Sequence, residues 1–253
     1  MASLEGKVAL ITGSGKGMGR THAELMARRG ARIVVHDLDR PAAEEAAEAL
    51  RALGGDPVLA ISDISDAAAT AEAIRAAEAE AGPIDILVNN AGIAGGDNPM
   101  EKIDEAAYDR MFDIHVKGAF FATKAVLPGM KARGGGKIVN IASVEGMGAV
   151  GDRAHYCGAK GALMALTKCW ALEFAPWKIC VNCVAPGWVL TPMVFALTTE
   201  ESRKAHAEKE IPLGRYADPE EVSALVAFLC SAEADFITGQ TVSPNGGQVI
   251  VGI

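Results

Sequence analysis

The stretch that decides the fold is Val8-Ala9-Leu10-Ile11-Thr12-Gly13-Ser14-Gly15-Lys16-Gly17-Met18-Gly19. Its apolar start has the length of one buried strand, glycines alternate after it, and the residues from 19 to 29 predict a helix ended by Gly30. Glycines without Cβ atoms let backbone N–H groups approach a pyrophosphate, and the N-terminus of the following helix adds positive potential. The spacing is Gly13, Gly17, Gly19; a GxGxxG pattern from Gly13 would put its third glycine at Met18. A tight turn needing positive φ is the plainer alternative. The position between first strand and first helix favours a phosphate loop of Gly13, Gly15, Lys16, Gly17, Met18 and Gly19.

Outward from that loop the chain alternates strand and helix. Strands are predicted over 32–36, 58–61, 84–88, 137–141, 179–184 and 240–242. Helices are predicted over 41–53, 66–81, 105–132, 154–174 and 219–230, several of them stopped by glycine. Repeated units of this length imply an α/β fold, a doubly wound parallel sheet of about seven strands with helices on both faces. The 253 residues suit a single domain and show no repeat or linker. The polar interruption at 191–213 is the place for a lid over a site.

A net charge of −8 disfavours a nucleic-acid or anionic-membrane surface. No segment reads as a signal peptide or a membrane span, so the expected compartment is the cytoplasm. Five cysteines are an odd number and form no disulfide framework. Cys180 and Cys183 have CxxC spacing, but three apart on a strand they face opposite sides, and no second pair completes a metal site.

Asp37 closes the second strand within the window, about 20 residues past the glycines, where a carboxylate receives the adenosine ribose hydroxyls. Such a carboxylate repels a 2′-phosphate, so NAD is favoured over NADP. Lys16 pulls the other way, since a cation in the loop could meet that phosphate, but Leu38 after Asp37 adds no positive charge. A helix cap or turn is the alternative role for Asp37. Asp63, before Ile64 at the end of the third strand, could accept from the adenine amino group or serve a simple turn.

Ser143 follows the fifth strand, and Tyr156 and Lys160 stand four apart on one face of a predicted helix. A phenol with a pKa near 10 is a poor base at neutral pH, and a neighbouring ammonium is expected to lower it. Ser143 would orient a substrate oxygen while Tyr156 takes or returns the hydroxyl proton. A lone YxxxK is common by chance; its meaning rests on coincidence with Ser143, the glycine loop and Asp37. His155 is expected at the pocket rim or the surface.

With these pieces quoted, the chain resembles the short-chain dehydrogenase/reductase family, of the classical type, over residues 7–247. The shared motifs are the 12–19 loop, Asn89-Asn90-Ala91-Gly92, Ser143, Tyr156-Cys157-Gly158-Ala159-Lys160, Pro186-Gly187, Thr191-Pro192 and Thr238-Gly239-Gln240. The resemblance implies a Rossmann-like seven-stranded sheet and a nicotinamide cofactor. It implies that Asn90, Ala91 and Gly92 line the cofactor's ribose region and that Lys160 also bonds the nicotinamide ribose. Pro186, Gly187, Val189 and Thr191 would border the nicotinamide, Val189 and Thr191 at its carboxamide. It further implies a homotetramer or homodimer built on the 105–132 and 154–174 helices. One departure matters: the family pattern has Asn where this chain has His115, which is therefore the candidate for the fourth catalytic position. Imidazole could relay a proton, or His115 could be a neutral core residue that preserves a helix bend.

Ala94, Val144, Glu145, Val150, Trp188 and Met193 are the candidate substrate-pocket residues, a mostly apolar set suited to a modest hydrophobic or cyclic alcohol or ketone. Glu145 among them could grip a polar group or point to solvent. The competing readings are an NADPH-dependent reductase of 3-oxoacyl thioesters and a cofactor-binding sensor that has lost its chemistry.

Overall fold

The computed structural model describes residues 3–96, 98–148 and 150–250. Seven parallel strands lie in the order β3-β2-β1-β4-β5-β6-β7. They are β1 (Val8–Thr12), β2 (Arg32–Asp37), β3 (Val58–Ile61), β4 (Ile86–Asn89), β5 (Gly136–Ile141), β6 (Ile179–Val184) and β7 (Thr241–Val242). The order reverses between β1 and β4, and that crevice is where an open α/β sheet receives ligands.

Each strand of the central sheet is apolar on both faces, as a sheet covered twice requires. Ala9, Ile11, Val35, Val88 and Val139 face one layer, with α1 (Gly17–Arg28), α2 (Arg40–Ala52) and α10 (Pro219–Leu229). Leu10, Val34, Leu87, Ile138 and Val181 face the other, with α3 (Ala67–Ala81), α5 (Gly118–Arg133) and α7 (Ala154–Phe174). The side-chain oxygens of Asp39, Asp66 and Asp104 cap α2, α3 and α4 (Glu105–Phe112).

The helix expected over 105–132 is interrupted. A π-helical turn at Asp113–Lys117 separates α4 from α5 and turns Ile114 and His115 inward. The first helix begins at Gly17, two residues early, and the fourth strand runs from Ile86 to Asn89, later than expected. The segment 191–213 is not irregular: Thr191 caps α8 (Pro192–Leu197) and a Thr199–Ser202 capping box opens α9 (Glu200–Glu210). A short helix, α6 (Glu145–Gly148), also forms after β5. Cys180 is half-buried and Cys183 buried on β6, and all five cysteines are free thiols. No helix among the described residues is long and apolar enough to cross a membrane.

A buried polar chain crosses the middle of the sheet beneath the site. Asn89 donates to Thr123 Oγ1 at 3.1 Å and to Asn140 Oδ1 at 2.8 Å, and Asn140 donates to Thr167 Oγ1 at 2.8 Å. Asn140 is fully buried, so truncation strips partners from groups that water cannot reach. Asn140→Ala is expected to cost about 2–3 kcal/mol of folding stability, read as a lower urea midpoint at unchanged slope.

Candidate active site

One cavity of about 530 Å³ opens at the β1/β4 reversal. Most residues expected to hold a dinucleotide line it: Gly13, Lys16, Gly17, Met18, Gly19, Asp37, Leu38, Asp63, Ile64, Asn90, Ala91, Gly92, Tyr156, Lys160 and Thr191. Gly13 and Gly17 have φ of 65° and 57°, a conformation other residues resist. A Cβ on Gly19 would collide with the Gly13 carbonyl oxygen, and one on Gly13 would lie 2.9 Å from Ala91 Cα. Unlike the helices capped by Asp39, Asp66 and Asp104, α1 has no side-chain cap and no acidic residue in its first turn. Its first N–H groups, with the glycine turn, are therefore suited to an anionic pyrophosphate.

Gly15 does different work. Its N–H donates to Asp37 Oδ2 at 2.9 Å, and a Cβ there would press on Asp37 and Ala42. It brings loop and second strand together and does not line the cavity. Asp37 Oδ1 also accepts from Asp39 N at 3.0 Å. Asp63 makes a local turn, accepting from Ser65 N and Oγ at 2.9 and 2.7 Å, and these bonds hold its carboxyl below the usual range. Sequence reasoning missed several further lining residues, among them the titratable His36, Asp39 and Arg110. His36 lies one residue before Asp37 and bonds Ser62 Oγ at 2.9 Å, and burial lowers its pKa to about 4.

At the other end of the cavity stands Tyr156; Ser143, which accepts from Glu145 N at 3.2 Å, lies near enough to draw the phenol's pKa down. Lys160 is buried and donates from Nζ to the Ile141 carbonyl at 2.9 Å, with Nζ 5.6 Å from the Tyr156 ring centroid. Burial brings the Lys160 pKa down to about 8, against a smaller upward pull from Cys183. Burial also pushes the Tyr156 phenol up to about 12. Glu145 adds to that rise, while Ser143 and Arg153 oppose it. The expected lowering of the phenol by its lysine neighbour is thus outweighed, because desolvation dominates and the ammonium is turned onto a backbone carbonyl.

His115 Nε2 lies 3.1 Å from Ile93 N and 3.0 Å from Ile93 O, and its ring meets Tyr156 edge-on at 5.6 Å. A Cβ on Gly92 would overlap the imidazole. Burial, then Lys160, holds His115 well below 6.5, so the ring is neutral at physiological pH. His155 is not at the surface; it is buried, where α7 packs on the π-helical turn.

The remaining expectations divide. Of the substrate-pocket candidates only Met193 lines the cavity. Ala94 and Val150 are exposed, and Val144 is buried with its N–H on the Pro186 carbonyl at 3.0 Å. Trp188 stacks on Tyr216 with centroids 5.4 Å apart and meets His206 edge-on, anchoring α9. Glu145 does not point to solvent: it pairs with Arg153 at 2.8 Å with its side chain 13% exposed. Pro186, Gly187 and Val189 do not line the cavity, Gly187 being packed against Asn245 and Val189 buried.

The family model described as enoyl-(acyl carrier protein) reductase matches residues 13–248. The chain belongs to the short-chain dehydrogenase/reductase family. A curated relative, the 3-oxoacyl-[acyl-carrier-protein] reductase FabG of Thermotoga maritima, is 36% identical over 98% of this chain and 99% of its own. A gluconate 5-dehydrogenase of Burkholderia cenocepacia, solved with NADP and tartrate, superposes with a TM-score of 0.92 at 37% identity, covering 97% of this chain and 96% of the other. A 3-ketoacyl-(acyl-carrier-protein) reductase of Brucella melitensis, solved with NADH, gives 0.91 at 36% identity, covering 98% and 100%. Membership makes this chain an NAD(P)-dependent oxidoreductase of the CH–OH or keto group.

A His whose native pKa is depressed leaves the unfolded chain binding the extra proton below 6.5, so stability falls as pH drops through that value. His115→Asn, which can still bond Ile93, is expected to flatten the loss of urea midpoint between neutral and mildly acidic pH. His115→Leu is expected to cost about 1–3 kcal/mol at neutral pH.

Proposed function

We propose that this protein is an NAD(H)-dependent dehydrogenase that interconverts a secondary alcohol and its ketone through Ser143, Tyr156 and Lys160. The observation that carries the reading is Tyr156 and the buried Lys160 lining the same cavity as the Asp37 carboxylate and the uncapped start of α1. The glycine turn and α1 would hold the pyrophosphate, Asp37 the adenosine ribose hydroxyls, and Asn90, Lys160 and Thr191 the nicotinamide half. The bound nicotinamide supplies or accepts the hydride. Ser143 donates to the substrate oxygen and fixes it against Tyr156. The phenol then gives up its proton to the developing alkoxide in reduction, or takes the hydroxyl proton in oxidation.

Lys160 keeps a positive charge near the phenol below about pH 8 and is positioned by the Ile141 carbonyl. His115, neutral and held on Ile93, positions the β4 end against Tyr156 instead of relaying protons as a cation. The substrate end is bordered by Ile93, Ile141, Ala142 and Met193, which supports an alcohol with an apolar body. The segment of α8 and α9 acts as the lid, with Thr191 to Met193 at the cavity. Exposed Phe120 and Leu172 on α5 and α7 support assembly of copies through those helices.

The test is a panel of secondary alcohols, cyclic ketones, polyols and 3-oxoacyl thioesters followed by nicotinamide absorbance with NADH and NADPH. Turnover of at least one CH–OH substrate with preference for NAD(H) is expected. Tyr156→Phe is expected to lower that turnover by about 10²–10⁴-fold, and unchanged turnover refutes the assignment.

The raised phenol pKa fixes the sign of the pH dependence. A group at about 12 is protonated at neutral pH, so ketone reduction should be nearly flat there while alcohol oxidation climbs into the alkaline range. Glu145→Gln removes a carboxylate that raises the phenol, so the oxidation limb of kcat/KM is expected to move to lower pH. Arg153→Gln is expected to move it the opposite way.

A further inference from the structure

Two carboxylates, not one, stand where the adenosine ribose is expected. Asp37 is fixed by the N–H groups of Gly15 and Asp39 at 2.9 and 3.0 Å. Asp39 caps α2 through Oδ1, which accepts from Ala42 N at 3.2 Å, and turns Oδ2 the other way. There it meets the Lys16 Nζ at 2.6 Å. The bridge joins the phosphate loop to the start of α2 beside Asp37, and all three residues line the cavity. The neighbouring cations are already engaged: Arg20 with Glu24 at 3.0 Å and Glu45 at 2.7 Å, and Arg40 with Glu44 at 3.5 Å. Arg110 lies at the Asp63 side of the cavity.

Lys16 is thus the loop cation best placed to receive a phosphate on the adenosine ribose, and it is held by Asp39. Lys16, Asp37 and Asp39 together sum to −1; without Asp39 they sum to zero. We propose that Asp39 is a nucleotide-selecting residue: by holding Lys16 it withholds the cation that a 2′-phosphate needs, and so reinforces the discrimination begun by Asp37. The proposal rests on the NAD(H) reading above. The pair is largely exposed, so the bridge itself contributes little to folding. Its effect is on an incoming dianion, which meets one negative charge fewer and one mobile ammonium more when the carboxylate is gone.

The experiment separates nucleotide choice from catalysis. Calorimetric titration with 5′-AMP and with 2′,5′-ADP, which differ by the 2′-phosphate alone, is run on the wild type, Asp39→Asn and the double variant Asp39→Asn/Lys16→Ala. Asparagine keeps a side-chain oxygen for Ala42 N, so the start of α2 is preserved. The ratio of the 5′-AMP to the 2′,5′-ADP dissociation constant is expected to rise about three- to tenfold in Asp39→Asn. It should return to the wild-type value in the double variant, and the gain should shrink as salt is added. An unchanged ratio in Asp39→Asn, or a gain that survives loss of Lys16, overturns the proposal while leaving the dehydrogenase assignment intact. Failure of the wild type to bind NADH and 5′-AMP overturns both.

Discussion

The structure depends on the close approach of the turn after β1 to the end of β4. Thr12 Oγ1 accepts from Asn90 N and Ala91 N, both at 3.0 Å, and Asn90 Nδ2 donates to the Thr12 and Gly13 carbonyls at 2.9 and 3.2 Å. The fit is tight enough that a Cβ on Gly13 or Gly19 would displace it. From that joint, contacts run in two directions. Gly15 carries one to Asp37 and the adenosine side. Gly92 and Ile93 carry the other to His115, whose ring abuts Tyr156. One backbone junction therefore sets the spacing between the phosphate loop and the phenol, the distance a dinucleotide has to span.

The other end of the site is held against the preference of its own groups. Burial favours the neutral form of both Tyr156 and Lys160, moving one pKa up and the other down. For Lys160 the linkage is unfavourable to folding. Its pKa falls from 10.5 to about 8, so the unfolded chain holds a proton that the native state has released between those values. Stability thus rises with pH across that window, and below it the cost of burying the ammonium is felt in full. The Ile141 carbonyl offsets part of that cost and fixes the lysine. A dry, charged pocket is useful to proton transfer because each interaction within it is stronger than in water.

What the sequence disclosed follows the range of the interactions involved. The phosphate loop, Asp37 and the Tyr156–Lys160 pair are local patterns tied to a strand end or a helix face, and the structure brings them to one cavity. The π-helical turn left no mark in hydrophobic periodicity, because it adds a residue to a helix whose flanks read as continuous. Helix α9 is polar with only Ala207 buried, so periodicity gave no signal, although Thr191 before Pro192 and the Thr199–Ser202 box were legible caps. Glu145 was misjudged because its partner lies eight residues on, across a turn whose path no spacing rule gives. Trp188 was misplaced for a similar reason: its partners come from farther along the chain, His206 from α9 and Tyr216 from the segment after it. Asp39 caps α2, and its second oxygen acquired meaning only when Lys16 was seen to reach it.

The reversal of strand order also divides the chemistry. In the proposed reading, residues of β1, β2 and their loops form the adenosine side, while β4, β5 and α7 supply the groups around the reacting oxygen. The two meet at the Thr12–Asn90 joint and share few side chains otherwise. A charge change at Asp39 or Lys16 lies in an exposed layer and need not disturb Ser143, Tyr156 or Lys160. A change at Glu145 or Arg153 acts on the phenol's proton and leaves the nucleotide loop alone. Such a partition is consistent with structures of one architecture, solved with NADP in one case and NADH in another, matching this chain over nearly its whole length. The fold fixes the distance between the two halves, and each half is then free to vary its partner by surface electrostatics or by pocket shape.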